Sequence, residues 1–89
     1  MKLVILNGYL MSDKEKTHQY LCEQLELPDY YGRNLDALYD CLSEMSSDTY
    51  IILINGDLML ENLKDYGQSL IEVFEDSAAE GGPLFKYYK

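Results

Sequence analysis

The sequence predicts an α/β fold: a three-stranded parallel sheet packed with about four helices, in the order β-α-α-β-α-α-β. Three observations lead there. Short apolar runs at Leu3–Leu6, Tyr50–Ile54 and Leu84–Tyr88 read as strands. Helix-spaced stretches with start and stop signals lie between them. The chain has 89 residues, one domain's worth, and 47% of them are hydrophobic, so residues 1–89 can form a single core without metals or disulfides.

Leu3 to Leu6 is fully apolar, includes β-branched residues and closes on Asn7-Gly8, a pattern that suits a strand buried on both faces. Ser12 and Glu15 have capping-box spacing, so a first helix should begin there and run to about Gln24 or Leu25. Tyr20, Leu21, Cys22 and Leu25 form its inward stripe. Leu27-Pro28 stops it, because the residue before proline avoids the helical region. A loop follows, Asp29 to Asn34, with two tyrosines and a flexible glycine. Asn34 is a good N-cap, and Leu35, Leu38, Tyr39 and Leu42 give a second helix over Leu35 to Ser43.

Tyr50 to Ile54 is the clearest strand, closed by Asn55-Gly56. Leu58 to Tyr66 reads as a helix broken at Gly67. Gln68 or Ser69 would start the last one, with Leu70, Ile71, Val73 and Phe74 inward, and Gly81-Gly82-Pro83 would end it. Both Asn-Gly pairs could mark hairpins. Each precedes a helical pattern, so they read as strand-to-helix turns. Strands joined by helical crossovers pair in parallel.

Sixteen acids face seven bases, for a net charge of -9. That balance argues against nucleic acid as a direct ligand, since phosphate binding needs Lys and Arg, and disfavours anionic membranes. It favours a basic protein partner or simple solubility. The first 20 residues carry three bases and two acids, so the excess lies beyond them. No apolar stretch is long enough for a secretory signal or a membrane span. The expected setting is the cytoplasm, with Cys22 and Cys41 as reduced thiols. Eighteen residues separate the two cysteines and His18 is the single histidine, which does not resemble a metal site, and no metal or other cofactor is expected. His18 reads as a surface or hydrogen-bonded residue of the first helix.

Asp36, Asp40 and Ser43 share one face of the second helix, with Tyr39 at its edge. Asp36 suits a helix start; Asp40 and Glu44 sit at the negative end, where anions are disfavoured. Helix stability therefore explains Asp36 and not Asp40. The pair lacks a nucleophile, a histidine base or a phosphate-cradling loop, so the chain does not read as an enzyme.

The string Leu27-Pro28-Asp29-Tyr30-Tyr31-Gly32-Arg33-Asn34-Leu35-Asp36-Ala37-Leu38-Tyr39-Asp40-Cys41-Leu42 closely resembles the signature of the barstar family of microbial ribonuclease inhibitors. Val4 to Gly8, Val73 to Asp76 and Ala79 to Gly81 resemble that family's opening strand and last helix; Met45 to Asn62 matches in pattern only. The resemblance implies a three-stranded parallel sheet with four helices. It also implies an intracellular monomeric inhibitor that forms a one-to-one complex with a secreted, guanyl-preferring ribonuclease of the barnase type. Asp40 would enter the nuclease's phosphate site, and Asp36 would pair with basic residues beside it. Tyr30 and Tyr31, with Gly32 between them and Asn34, would pack on its surface. Asn34, Tyr39 and Ser43 would fill the rim, and Asp76 would add an acidic contact. The alternative is an acidic interaction module for a different basic partner.

Some positions depart from the family's best-known member. Tyr39 stands for a tryptophan, Ser43 for a threonine and Asp76 for a glutamate, and Met45 stands where a second tryptophan is missing. Arg33 stands for a glutamate. A positive charge there would repel a basic partner, which points to a partner with a different surface.

Overall fold

The computed structural model describes residues 1–89. Its elements are β1 (Lys2–Asn7), α1 (Lys14–Gln24), α2 (Leu35–Ser43), β2 (Thr49–Ile54), α3 (Gly56–Leu63), α4 (Asp65–Ala79) and β3 (Leu84–Tyr87). A short 3-10 turn, Gly8–Leu10, follows β1. The element order is the predicted one, and both strand pairs are parallel.

The strands lie in the order β1-β2-β3. Two right-handed crossovers that advance in the same direction must put every helix on one face of the sheet. Burial follows that rule. Val4 and Leu6 of β1 and Ile51 and Leu53 of β2 point into the core, where Phe74 of α4 stacks on Phe85 of β3 at 4.8 Å between ring centroids. On the opposite face the register sets Leu3 beside Tyr50 and Leu84, and Ile5 beside Ile52 and Lys86. Leu3 is 56% exposed and Ile5 50%. The expectation that the first strand is buried on both faces therefore fails. An unbroken apolar run carries no alternation from which an open face could be read.

Both Asn-Gly pairs are strand-to-helix turns, and they meet in space. Asn55 Nδ2 donates to Asn7 Oδ1 at 2.9 Å, and Asn7 Oδ1 also accepts from Tyr9 N at 3.0 Å. A side chain at Gly8 would strike the Asn55 carbonyl, so only glycine lets the two turns approach.

Two helix boundaries differ from expectation. The cap of α1 is Asp13, whose Oδ1 accepts from Lys16 N at 2.8 Å, rather than Ser12. Aspartate and serine cap about equally well, and the helix takes the later register. The break between α3 and α4 falls at Lys64, which has φ 55° and ψ −127°. Gly67 is instead buried inside α4, where a Cβ would come within 2.8 Å of Met59 Sδ and 3.3 Å of Leu63 Cβ. It marks a close helix–helix approach, not a chain break. Leu70, Ile71 and Phe74 point inward as expected, while Val73 is half-buried. Cys22 and Cys41 are free and half-buried.

Candidate partner-binding face

Helix α2 has the predicted bounds, and Asn34 caps it: Asn34 Oδ1 accepts from Ala37 N at 2.8 Å. Leu38 and Leu42 face the core and lay the helix against α4. That orientation turns Asp36, Asp40 and Ser43 to solvent. The Ser43 hydroxyl donates to the Tyr39 carbonyl at 2.9 Å, which leaves its lone pairs free for a partner.

Asp76 is exposed on α4, and Glu80 ends that helix. Tyr39 is half-buried between the two helices. Desolvation, then the carboxylates of Glu80, Asp76 and Asp40, push its hydroxyl pKa up. So Asp40 and Asp76, 36 positions apart by their numbers, converge on one tyrosine. None of these acids is neutralised. The chain's ion pairs are Met1 amine with Asp48 at 3.2 Å and Lys2 with Glu26 at 2.8 Å, both elsewhere. Neither α2 nor α4 has a base in its last turn.

The loop ahead of α2 splits its two tyrosines. Tyr30 is 80% exposed and stands at the head of the acidic face. Tyr31 is only 6% exposed. The expectation that both rings lie open to a partner is corrected at Tyr31, which is part of the core. Its hydroxyl lies 2.6 Å from His18 Nδ1, and the Tyr66 hydroxyl lies 2.6 Å from His18 Nε2. A neutral imidazole donates at one nitrogen and accepts at the other, so two hydroxyls satisfy it completely. Burial, then the Arg33 guanidinium, lowers the His18 pKa. Burial raises that of Tyr31 and that of Tyr66. This triad ties the loop to α1 and α4.

The left-handed residue of the loop is Arg33, at φ 53°, rather than Gly32. Gly32 serves close packing: a Cβ there would come within 3.2 Å of Ala37 Cβ and 3.3 Å of Asn34 Nδ2. Arg33, Lys14, Glu15, His18 and Tyr66 line a cleft of about 290 Å³ beside the loop.

Sequence reasoning left His18, Tyr66 and Glu80 outside the site. His18 had a readable signal: with Leu21 and Leu25 it sits at i, i+3 and i+7, on the apolar stripe of α1. Tyr66 and Glu80 had none, because α4 meets the loop only in three dimensions.

These features define a small α/β protein that holds an uncompensated acidic helix face and an exposed tyrosine on a rigid, hydrogen-bonded base. No group of three or more His, Cys, Asp or Glu residues is placed to hold a metal ion, and no helix is long and apolar enough to cross a membrane. The sequence matches the family described as Barstar (barnase inhibitor) over residues 1–88. It is 34% identical over 87 residues to a Bacillus subtilis (strain 168) protein named "Putative ribonuclease inhibitor YrdF", covering 97% of this chain and 96% of that one. The chain belongs to the barstar family.

Proposed function

We propose that this protein inhibits a secreted, guanyl-preferring ribonuclease of the barnase type by covering its active site in a one-to-one complex. It would act as a monomer in the cytoplasm of the producing cell. The observation that carries the reading is the outward face of α2, where Asp36 and Asp40 are exposed and take part in no ion pair. A basic nuclease active site is built to hold RNA phosphates. A preformed row of carboxylates can occupy it at little ordering cost, because the helix already fixes them. Asp40 enters the phosphate site and Asp36 pairs with bases at its edge. Asp76 adds a third carboxylate from α4. Tyr30 packs flat on the nuclease surface, and Tyr39, Asn34 and Ser43 close the rim against water. Tyr31, whose ring is buried, holds the loop in place, and the exposed Gly32 lies against the nuclease beside Tyr30. The net charge of -9 speeds encounter with a basic partner.

The test is stoichiometric inhibition of RNA cleavage. Asp40→Ala should weaken binding by at least ~2 kcal/mol, about 30-fold or more, while the urea midpoint is unchanged or slightly raised. Glu61→Ala, an exposed acid on α3, should change binding less than about threefold. Equal behaviour of the two variants, or no inhibition of any barnase-type nuclease, refutes the reading.

A further inference from the structure

The one cleft in the molecule has the opposite sign to the molecule. The chain carries seven bases against 16 acids, yet two of those bases, Lys14 and Arg33, line this cleft with the only histidine. Glu15 is the single acid on its wall, and it forms no ion pair with either base. Lys14 opens α1, so the positive end of that helix adds to the field. Its Nζ rests 4.5 Å from the centre of the Tyr66 ring, which fixes one wall.

Arg33 is the unusual member. Its guanidinium takes part in no ion pair and no hydrogen bond within the chain. Its backbone is left-handed, at φ 53°, as it is at Glu26, Asn55 and Lys64, a conformation that costs any residue with a Cβ. An unpaired guanidinium that lines a cleft together with a second cation is available to an anionic group outside the chain. Its place in sequence narrows the use, because Arg33 stands between Tyr30 and the Asn34 cap of α2. A partner that reaches from Tyr30 to the Asn34 end of α2 also reaches Arg33. A wholly basic partner surface would set cation against cation there.

We infer that the Arg33–Lys14 cleft receives a carboxylate side chain, Asp or Glu, from the ribonuclease that the α2 face inhibits. The volume of about 290 Å³ accommodates one acidic side chain and is at the lower limit for a drug-sized ligand. A guanidinium fork matches a carboxylate with two parallel hydrogen bonds, which Lys14 reinforces as a point charge. The partner is thus basic over its active site and acidic at one point beside it. The pairing selects among ribonucleases, since a nuclease with a lysine at that point is repelled.

This inference rests on the ribonuclease reading, and the experiment separates the two. Association and dissociation rates are measured with a nuclease that the wild-type protein inhibits, for Arg33→Glu, Arg33→Asn, Lys14→Ala and Asp40→Ala. Arg33→Glu should weaken binding by about tenfold or more. Arg33→Asn should also weaken it while leaving the urea midpoint equal or higher, because asparagine tolerates φ 53° better than arginine. That result sets binding apart from folding. One Asp→Lys or Glu→Lys change on the nuclease should restore affinity for Arg33→Glu. The inference is overturned if both Arg33 variants bind as well as wild type while Asp40→Ala still loses affinity; the ribonuclease reading then stands alone. If Asp40→Ala loses nothing, or wild type inhibits no nuclease, the ribonuclease reading fails and takes the inference with it.

Discussion

Replacing Tyr31 by phenylalanine removes one oxygen and keeps the ring. That oxygen lies 2.6 Å from His18 Nδ1, and His18 is only 2% exposed. Water has no easy route to the vacated nitrogen. A buried group left without its partner costs about 1–3 kcal/mol. For a domain of 89 residues the urea dependence is about 1 kcal/mol per molar, so the midpoint should fall by about 1–3 M with an unchanged slope. Tyr66→Phe removes the hydroxyl at the other nitrogen, also at 2.6 Å, but Tyr66 is half-buried. Water can take over that bond, so the loss should be smaller, about 0.5–1.5 kcal/mol. The assay is urea unfolding followed by far-ultraviolet circular dichroism at pH 8, where histidine is neutral in both states. A Tyr31→Phe midpoint within about 0.2 M of wild type, or a larger loss for Tyr66→Phe, would refute the claim that this triad anchors the loop.

Stability should fall on mild acidification. The His18 pKa is lowered in the fold, so below its ordinary value of 6.5 the unfolded chain takes a proton that the folded chain resists. The contribution is fully present above pH 6.5 and declines toward the folded-state pKa, at up to about 1.4 kcal/mol per pH unit. Arg33 opposes protonation, and Lys14 and Glu15 are the other charged residues that line the same cleft. Urea midpoints between pH 7.5 and 5.5 should show the slope in wild type and not in His18→Gln; an equal slope in both would count against it. The open sheet face gives a further contrast. Ile5→Thr or Leu3→Thr should cost under about 1 kcal/mol, and Leu6→Ala about 2–5 kcal/mol, by the same melts. Equal costs would mean that the face is covered.

How much was legible in the sequence depended on whether the deciding physics was local. Helix α2 was readable to the residue, because Asn34 caps it and its leucines repeat at helical spacing. The turn at Asn55-Gly56 was equally plain. The open face of β1 was not, because strand order and crossover hand decide it, and Leu3 to Leu6 is apolar throughout. The α3–α4 break was assigned to a glycine, yet Lys64 adopts the non-helical backbone, and lysine gives no warning of that. In the loop, two adjacent tyrosines look alike in sequence. Only His18, 13 residues earlier, and Tyr66, 35 residues later by number, determine which one turns inward.

The placement of the acids is hard to explain as folding. Asp40 and Glu44 lie at the negative end of α2, and Asp76 and Glu80 at the negative end of α4, with no base in the last turn of either. Each such charge is disfavoured by about 0.3–1 kcal/mol, and the like pairs Asp36–Asp40 and Asp76–Glu80 add about 0.2–0.5 kcal/mol each. The core then packs α2 against α4, which brings both ends to the same tyrosine, Tyr39, and keeps the repulsion from spreading apart. A chain selected for stability alone would place lysines there. This one has seven bases, and puts two of them in the cleft beside the Tyr30 loop. Solubility needs only net charge, wherever it sits. A segregated arrangement, acids on the two helix ends and an unpaired arginine beside them, needs a partner whose own charges are segregated in the opposite sense.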